Sequence, residues 1–98
     1  MTAYVVMIRE RVTDQSELDV YAQKARLARE GHPMERLAFY GDVEVLEGPP
    51  IYGSVILSFS TMEDARRWYD SPAYQAALKH GVKGADYRVF IVDGVAST

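Results

Sequence analysis

Apolar residues along the chain fall into two rhythms, one suited to strands and one to helices. Ala3 to Val12 is β-branched, aromatic and apolar at its start, which predicts a strand. It ends at Thr13-Asp14, and Asp14 with Glu17 has the spacing of a capping box, with Asp in place of the usual Ser or Thr. Leu18, Tyr21, Ala22, Ala25 and Ala28 then recur at helical spacing, so a helix with one buried stripe runs on until Gly31 and Pro33 stop it. Glu35 to Tyr40 alternates Leu37 and Phe39 with polar or small neighbours, and Gly41-Asp42 turns it into a second short strand, Val43 to Leu46. After the stiff Gly48-Pro49-Pro50, the run Val55-Ile56-Leu57 within Tyr52 to Phe59 suits a central strand. Ser60 and Thr61 with Glu63 and Asp64 offer two overlapping capping boxes for a helix reaching Tyr69. Asp70-Ser71-Pro72 stops that helix and restarts another, which Gly81 and Gly84 end. Asp86 to Asp93 is the last strand, and Gly94 to Thr98 reads as a loose tail.

The order β-α-β-β-α-β, with an extra short hairpin after the second strand, predicts an α+β, ferredoxin-like fold: a four-stranded antiparallel sheet with its helices on one face. Strand alternation then sorts the side chains. Tyr4, Val6, Ile8, Leu37, Phe39, Val55, Leu57, Phe59, Val89 and Ile91 form the apolar set assigned to the helix-covered face. The opposite parity places Arg9, Arg36, Tyr40 and Arg88 on the uncovered face together with Val5, Met7, Ile56, Phe90 and Val92. An apolar cluster of that extent calls for a cover, and a second copy related by a two-fold axis supplies one. The expectation is a homodimer through the uncovered sheet face.

At 98 residues the chain is one domain, spanning 1–98. A hydrophobic share of 48% with 26% charged residues is that of an ordinary globular protein, which excludes disorder and fibrous repeats. The net charge of −3 gives a phosphate backbone no overall attraction, and Ser54 to Phe59 presents no aromatic-basic surface for stacking bases, so nucleic acid is not expected as a partner. Cysteine is absent, which removes disulfides, thiolate metal sites, iron–sulfur clusters and a Cys nucleophile. No apolar run is long enough to span a membrane, and the expected location is the cytoplasm. Neither a dinucleotide fingerprint nor a P-loop occurs.

Three stretches resemble a known family. Gly41-Asp-Val-Glu-Val-Leu-Glu-Gly48, Ala65-Arg-Arg-Trp-Tyr-Asp-Ser-Pro-Ala-Tyr-Gln-Ala77 and Val92-Asp-Gly-Val95 are similar to DUF1330, a family of small uncharacterised bacterial proteins, over Tyr4 to Val95. The resemblance implies a dimeric α+β barrel, a superfamily that includes cofactor-free monooxygenases, muconolactone-isomerase-like enzymes and dye-decolourising peroxidases. The chain departs from the family pattern at Pro33-Met34-Glu35, where a Gly-Gly-Arg-like start is common, and at Phe39-Tyr40, where an Arg is common. The Arg often found after the second helix is also missing, with Gly81 near that place and Lys83 close by.

Candidate chemistry follows from residue type. Histidine is the residue type whose ordinary pKa lies near neutrality, so a proposal of proton transfer begins with His80 and His32, and Asp70 is a third candidate as a general base. Each has a plainer role: His80 as a cation at a helix C-terminus, His32 as a solvated loop residue, Asp70 within the break between two helices. Two histidines without close spacing do not make a metal site, and 98 residues leave little to enclose a haem, so neither a metal nor another cofactor is expected. Tyr4, Tyr21, Tyr69 and Tyr74 point by spacing toward the helix–sheet layer, where enzymes of the superfamily hold aromatic substrates. Arg9 and Arg88, with Arg36, share a parity that suits a recess for a small carboxylate or enolate, or else ion pairs across the dimer with Glu10, Glu44 or Glu47. Two functions follow. One is a cofactor-free oxygenase, isomerase or cyclase acting on a small hydrophobic carboxylated or phenolic metabolite; the other is a non-catalytic metabolite-binding or interaction module.

Overall fold

A computed structural model describes residues 1–96. The elements run β1 (Ala3–Val12), α1 (Gln15–Leu27), β2 (Glu35–Phe39), β3 (Ser54–Phe59), α2 (Met62–Asp70), α3 (Pro72–Gly84) and β4 (Ala85–Asp93). All pairings are antiparallel, in the order β2-β3-β1-β4, and the helices cover one face of the sheet. The α+β, ferredoxin-like expectation holds. Among the described residues no helix is long and apolar enough to cross a membrane.

The helix starts are set by side-chain caps. The Asp14 carboxylate accepts from the Ser16 N–H at 3.0 Å, the Ser16 hydroxyl at 2.6 Å and the Glu17 N–H at 3.3 Å. Thr61 accepts the Asp64 N–H at 3.0 Å. Ser71 accepts the Tyr74 N–H at 3.2 Å and donates to the Trp68 carbonyl at 2.7 Å, so one hydroxyl ends α2 and opens α3, with Pro72 at the first helical position. The predicted break at Asp70-Ser71-Pro72 is therefore real.

Other expectations change. Val43 to Leu46 is not a strand: residues 41–51 lack strand pairing and are exposed apart from Ile51, and Leu46 is 84% exposed, so the extra hairpin is an arm without a partner in the lone chain. α3 does not stop at Gly81: it runs through that residue and ends at Gly84. A Cβ on Gly81 would lie 2.9 Å from the Tyr21 ring, and one on Gly84 2.7 Å from the Leu18 side chain. These glycines let α1 press directly onto α3. The predicted tail is irregular from Gly94, whose N–H donates to the Thr2 carbonyl at 2.7 Å; Ser97 and Thr98 lie outside the described residues.

The sharpest correction concerns β1. Ala3 lies opposite Phe59, Val5 opposite Leu57 and Met7 opposite Val55, and these are buried under the helices. Tyr4, Val6 and Ile8 point to the open face, opposite Ser58, Ile56 and Ser54 on one side and Val92, Phe90 and Arg88 on the other. The segment is apolar at every position from Ala3 to Ile8, so alternation carries no information there and pairing register decides. Arg9 consequently lies on the helix side, and Met7 in the core. The open face still carries Tyr4, Val6, Ile8, Ile56, Phe90 and Val92, with Phe90 and Val92 more than two-fifths exposed, so it is more apolar than the sequence suggested.

Candidate functional site

α1 packs on α3 rather than on the strands. Leu18 and Tyr21 fill the notches at Gly84 and Gly81, while the stripe that continues toward the sheet is alanine at 22, 25 and 28. Small side chains cannot bridge to β2 and β3, and a cleft of 340 Å³ remains between them. Met7, Leu18, Ala25, Val55 and Leu57 give it apolar walls, Trp68, Tyr74 and Tyr21 line it as well, and Arg9, Arg26, Arg29, Arg36, Phe39 and Tyr40 complete it.

Tyr40 is the most constrained residue here. Its φ of 54° is left-handed, a conformation that costs a non-glycine residue on the order of 1 kcal/mol or more. A Cβ at Gly53 would lie 2.7 Å from the Tyr40 ring, so that glycine clears the space the ring occupies. The Arg9 guanidinium stacks 4.4 Å from the Tyr40 ring centroid. The Tyr40 and Tyr87 hydroxyls are 2.7 Å apart, and Arg9 donates to the Tyr87 hydroxyl from Nε at 2.9 Å and from Nη2 at 2.6 Å. A second pair of hydroxyls, Tyr21 and Tyr74, is bonded at 2.8 Å. Burial is the main cause that raises the pKa of Tyr21, Tyr40 and Tyr74, so all three are neutral donors at physiological pH.

The rim is positive. Among the described residues no carboxylate lies within 4.0 Å of the nitrogens of Arg9, Arg26, Arg29 or Arg36, whereas Arg11, Arg66 and Arg67 are each paired. Desolvation, then the neighbouring Arg36 and Arg26, lowers the pKa of Arg29: the three charges repel across the rim. Asp19 is the one acidic side chain lining the cleft, and it accepts from Gln15 at 3.0 Å. The indole Nε1 of Trp68 is buried without an acceptor among the described residues.

The sequence-derived candidates divide. Arg9, Tyr21 and Tyr74 line the cleft. Tyr69 packs 5.4 Å from Tyr74 but faces the grooves beside β4. Tyr4 and Arg88 lie on the open face, opposite Val92 and Ile8. His80, His32 and Asp70 are not among the lining residues. His80 Nδ1 lies 2.6 Å from Glu17 Oε2, a carboxylate 63 positions away that sequence proximity could not indicate, and the pair ties α3 to α1. Asp70 accepts from Arg66 at 2.8 Å one helical turn back, on an exposed surface. Sequence reasoning missed Tyr40 and Tyr87 as site residues and put Arg9, Arg36 and Tyr40 on the wrong face; the one signal was the charged Arg9 following an apolar run.

Solved structures resemble this chain in fold. A protein of unknown function from Rhodopseudomonas palustris is 14% identical with a TM-score of 0.74, over 98% of this chain and 84% of that one. A dimeric ferredoxin-like protein of unknown function from Thermobifida fusca is 12% identical with a TM-score of 0.64, over 94% and 90%. SnoaB, a cofactor-independent oxygenase from Streptomyces nogalater, is 11% identical with a TM-score of 0.60, over 98% and 94%. No curated protein matches the sequence. The model of DUF1330, a domain of unknown function, matches residues 2–95, and the chain belongs to that family.

Proposed function

We propose that the protein binds a small anion with a flat apolar body, of the aromatic carboxylate class, in the cleft between α1 and strands β2 and β3. The observation that carries this reading is the set of four guanidinium groups without carboxylate partners around apolar walls. In a chain of net charge −3, positive charge gathered at one mouth calls for an anion from outside. The cleft is rich in donors, its one carboxylate among the described residues, Asp19, is engaged by Gln15, its tyrosines are held neutral and both histidines lie elsewhere; this favours binding over acid–base catalysis. A cofactor-free reaction of a carbon acid that ionises readily is the second reading, supported by the Arg9 and Tyr40 donors that would hold an enolate oxygen and by the fold shared with SnoaB.

The protein works, in this reading, as a homodimer closed through the open sheet face, with the partner covering Val6, Ile56 and Phe90 and meeting the uncovered Val43, Val45 and Leu46 of the arm. We place it in the cytoplasm on the sequence argument above.

Calorimetric titration with substituted benzoates, their neutral amides and lactones tests the site. Benzoates should bind, the amides should not, and Arg36→Gln should weaken binding about tenfold or more, the scale of a charge-assisted contact. Amides binding as well as acids would overturn the proposal. Sedimentation at micromolar concentration tests the dimer: Phe90→Glu should yield monomers, and a parent that is itself monomeric would refute it.

A further inference from the structure

We infer that the end of the ligand buried in this cleft carries an acceptor oxygen held by the hydroxyl of Tyr40, so the cleft selects an anion with a carbonyl-type oxygen at its far end. The inference rests on the reading just proposed and adds the direction of a proton to it. The Tyr87 oxygen receives two N–H groups from Arg9, at 2.9 and 2.6 Å, which fill its acceptor capacity. Its own proton must then go to Tyr40, 2.7 Å away. Tyr40 accepts that proton, and its own O–H is left with no acceptor among the described residues. Arg9 thus sets the direction of the chain: guanidinium to Tyr87, Tyr87 to Tyr40, and Tyr40 outward to the cleft it lines.

Two independent observations point the same way. Tyr21 and Tyr74 share one hydrogen bond between two hydroxyls, so one of their hydrogens is surplus. The Trp68 indole N–H, on the same wall, also has no acceptor. The side chains of the inner wall therefore present donors without matching acceptors, and a buried donor left unmade is costly. A ketone or carboxylate oxygen would be matched to these surplus hydrogens, whereas an apolar group of the same shape would leave them unmade. The left-handed backbone of Tyr40 and the space cleared at Gly53 hold the ring in place, so the donor is aimed before a ligand arrives.

The test uses two probes of one shape, para-acetylbenzoate and para-isopropenylbenzoate, which differ in a carbonyl oxygen against a methylene. Affinities come from calorimetry, and the emission of Trp68, the single tryptophan, reports occupancy of the cleft. The unchanged protein should favour the ketone by about five- to tenfold, the range of one net hydrogen bond. Tyr40→Phe should erase that preference and leave the affinity for the isopropenyl probe within about twofold, with the melting curve confirming the fold. Equal binding of the two probes by the unchanged protein, or an undiminished preference in Tyr40→Phe, overturns the inference while the anion site stands. Binding of neither probe overturns both.

Discussion

Both ends of the helix layer lie over one sheet, yet the α2 end is filled with side chains and the α1 end holds a cleft. Under α2 and the start of α3, Trp68 lies 5.6 Å from Phe59 and 4.4 Å from Tyr74, ring centroid to ring centroid, with Ala65 and Ala77 fully buried around them. Under α1 the corresponding positions are alanines, and the strands below bring Arg9, Arg36 and Tyr40 beside Met7, Val55, Leu57 and Phe39. The lesson is that the cleft is a packing deficit with a cause. Glycines on α3 draw α1 sideways, small residues leave space beneath it, and a strained tyrosine with stacked arginine furnishes what remains.

Opening the filled end should have the largest effect. Trp68→Ala removes a side chain 2% exposed, and unfolding in urea should reveal a loss of about 3–5 kcal/mol. A loss below about 1 kcal/mol would mean that the two ends do not differ in packing. Gly84→Ala attacks the seam that positions α1: its Cβ would meet the Leu18 backbone nitrogen at 2.9 Å, which cannot give way as a side-chain tip can. The expected cost is about 1–3 kcal/mol, with weaker benzoate binding because α1 is displaced.

Closing the open end is the converse experiment. Ala25→Phe places a ring in the cleft; titration should lose at least about tenfold in benzoate affinity, equivalent to about 1.4 kcal/mol, while the melting temperature holds or rises. Unchanged affinity would move the ligand elsewhere.

The smallest effect is expected at the entry to α1. The Ser16 hydroxyl, followed by the Glu17 N–H, holds the Asp14 carboxyl below its ordinary value of 3.8. Because the folded value lies below the unfolded one, the stabilisation is complete above about pH 4 and is lost as pH falls through the folded value. Asp14→Asn should flatten the stability profile of the folded chain between pH 5 and 2 by a small but measurable amount, read as melting temperature against pH, and should leave the profile near neutrality unaltered.

Local signals made much of the fold legible. Asp14, Thr61 and Ser71 each cap a helix where their spacing from Glu17, Asp64 and Pro72 placed one. Val55, Leu57 and Phe59 alternate with less buried neighbours and were assigned to the right face. β1 was not legible, because an unbroken apolar run looks the same in either parity. β2 failed for another reason: its register shifts between Arg36 and Ala38, which sets Arg36 opposite Leu57 and Phe39 opposite Val55 on the helix side. The arm misled because Val43 and Val45 have strand character, yet the segment does not pair with the free edge of β2. Of the site, Arg9, Tyr21 and Tyr74 were picked out by residue type, while Tyr40 depended on a backbone twist and on a glycine 13 positions away, neither of which leaves a periodic trace.

By itself the sequence determined where helices start and the order of the elements that build the four-stranded sheet, since these follow from caps and propensity within short windows. Only the tertiary structure decided which side chains meet: the register that turned Arg9 toward α1, the seam that left a cleft under Ala22 and Ala25, and the hydrogen bonds that join Arg9, Tyr87 and Tyr40. Those contacts join residues as far as 78 positions apart, and their energies arise from geometry that no local pattern encodes.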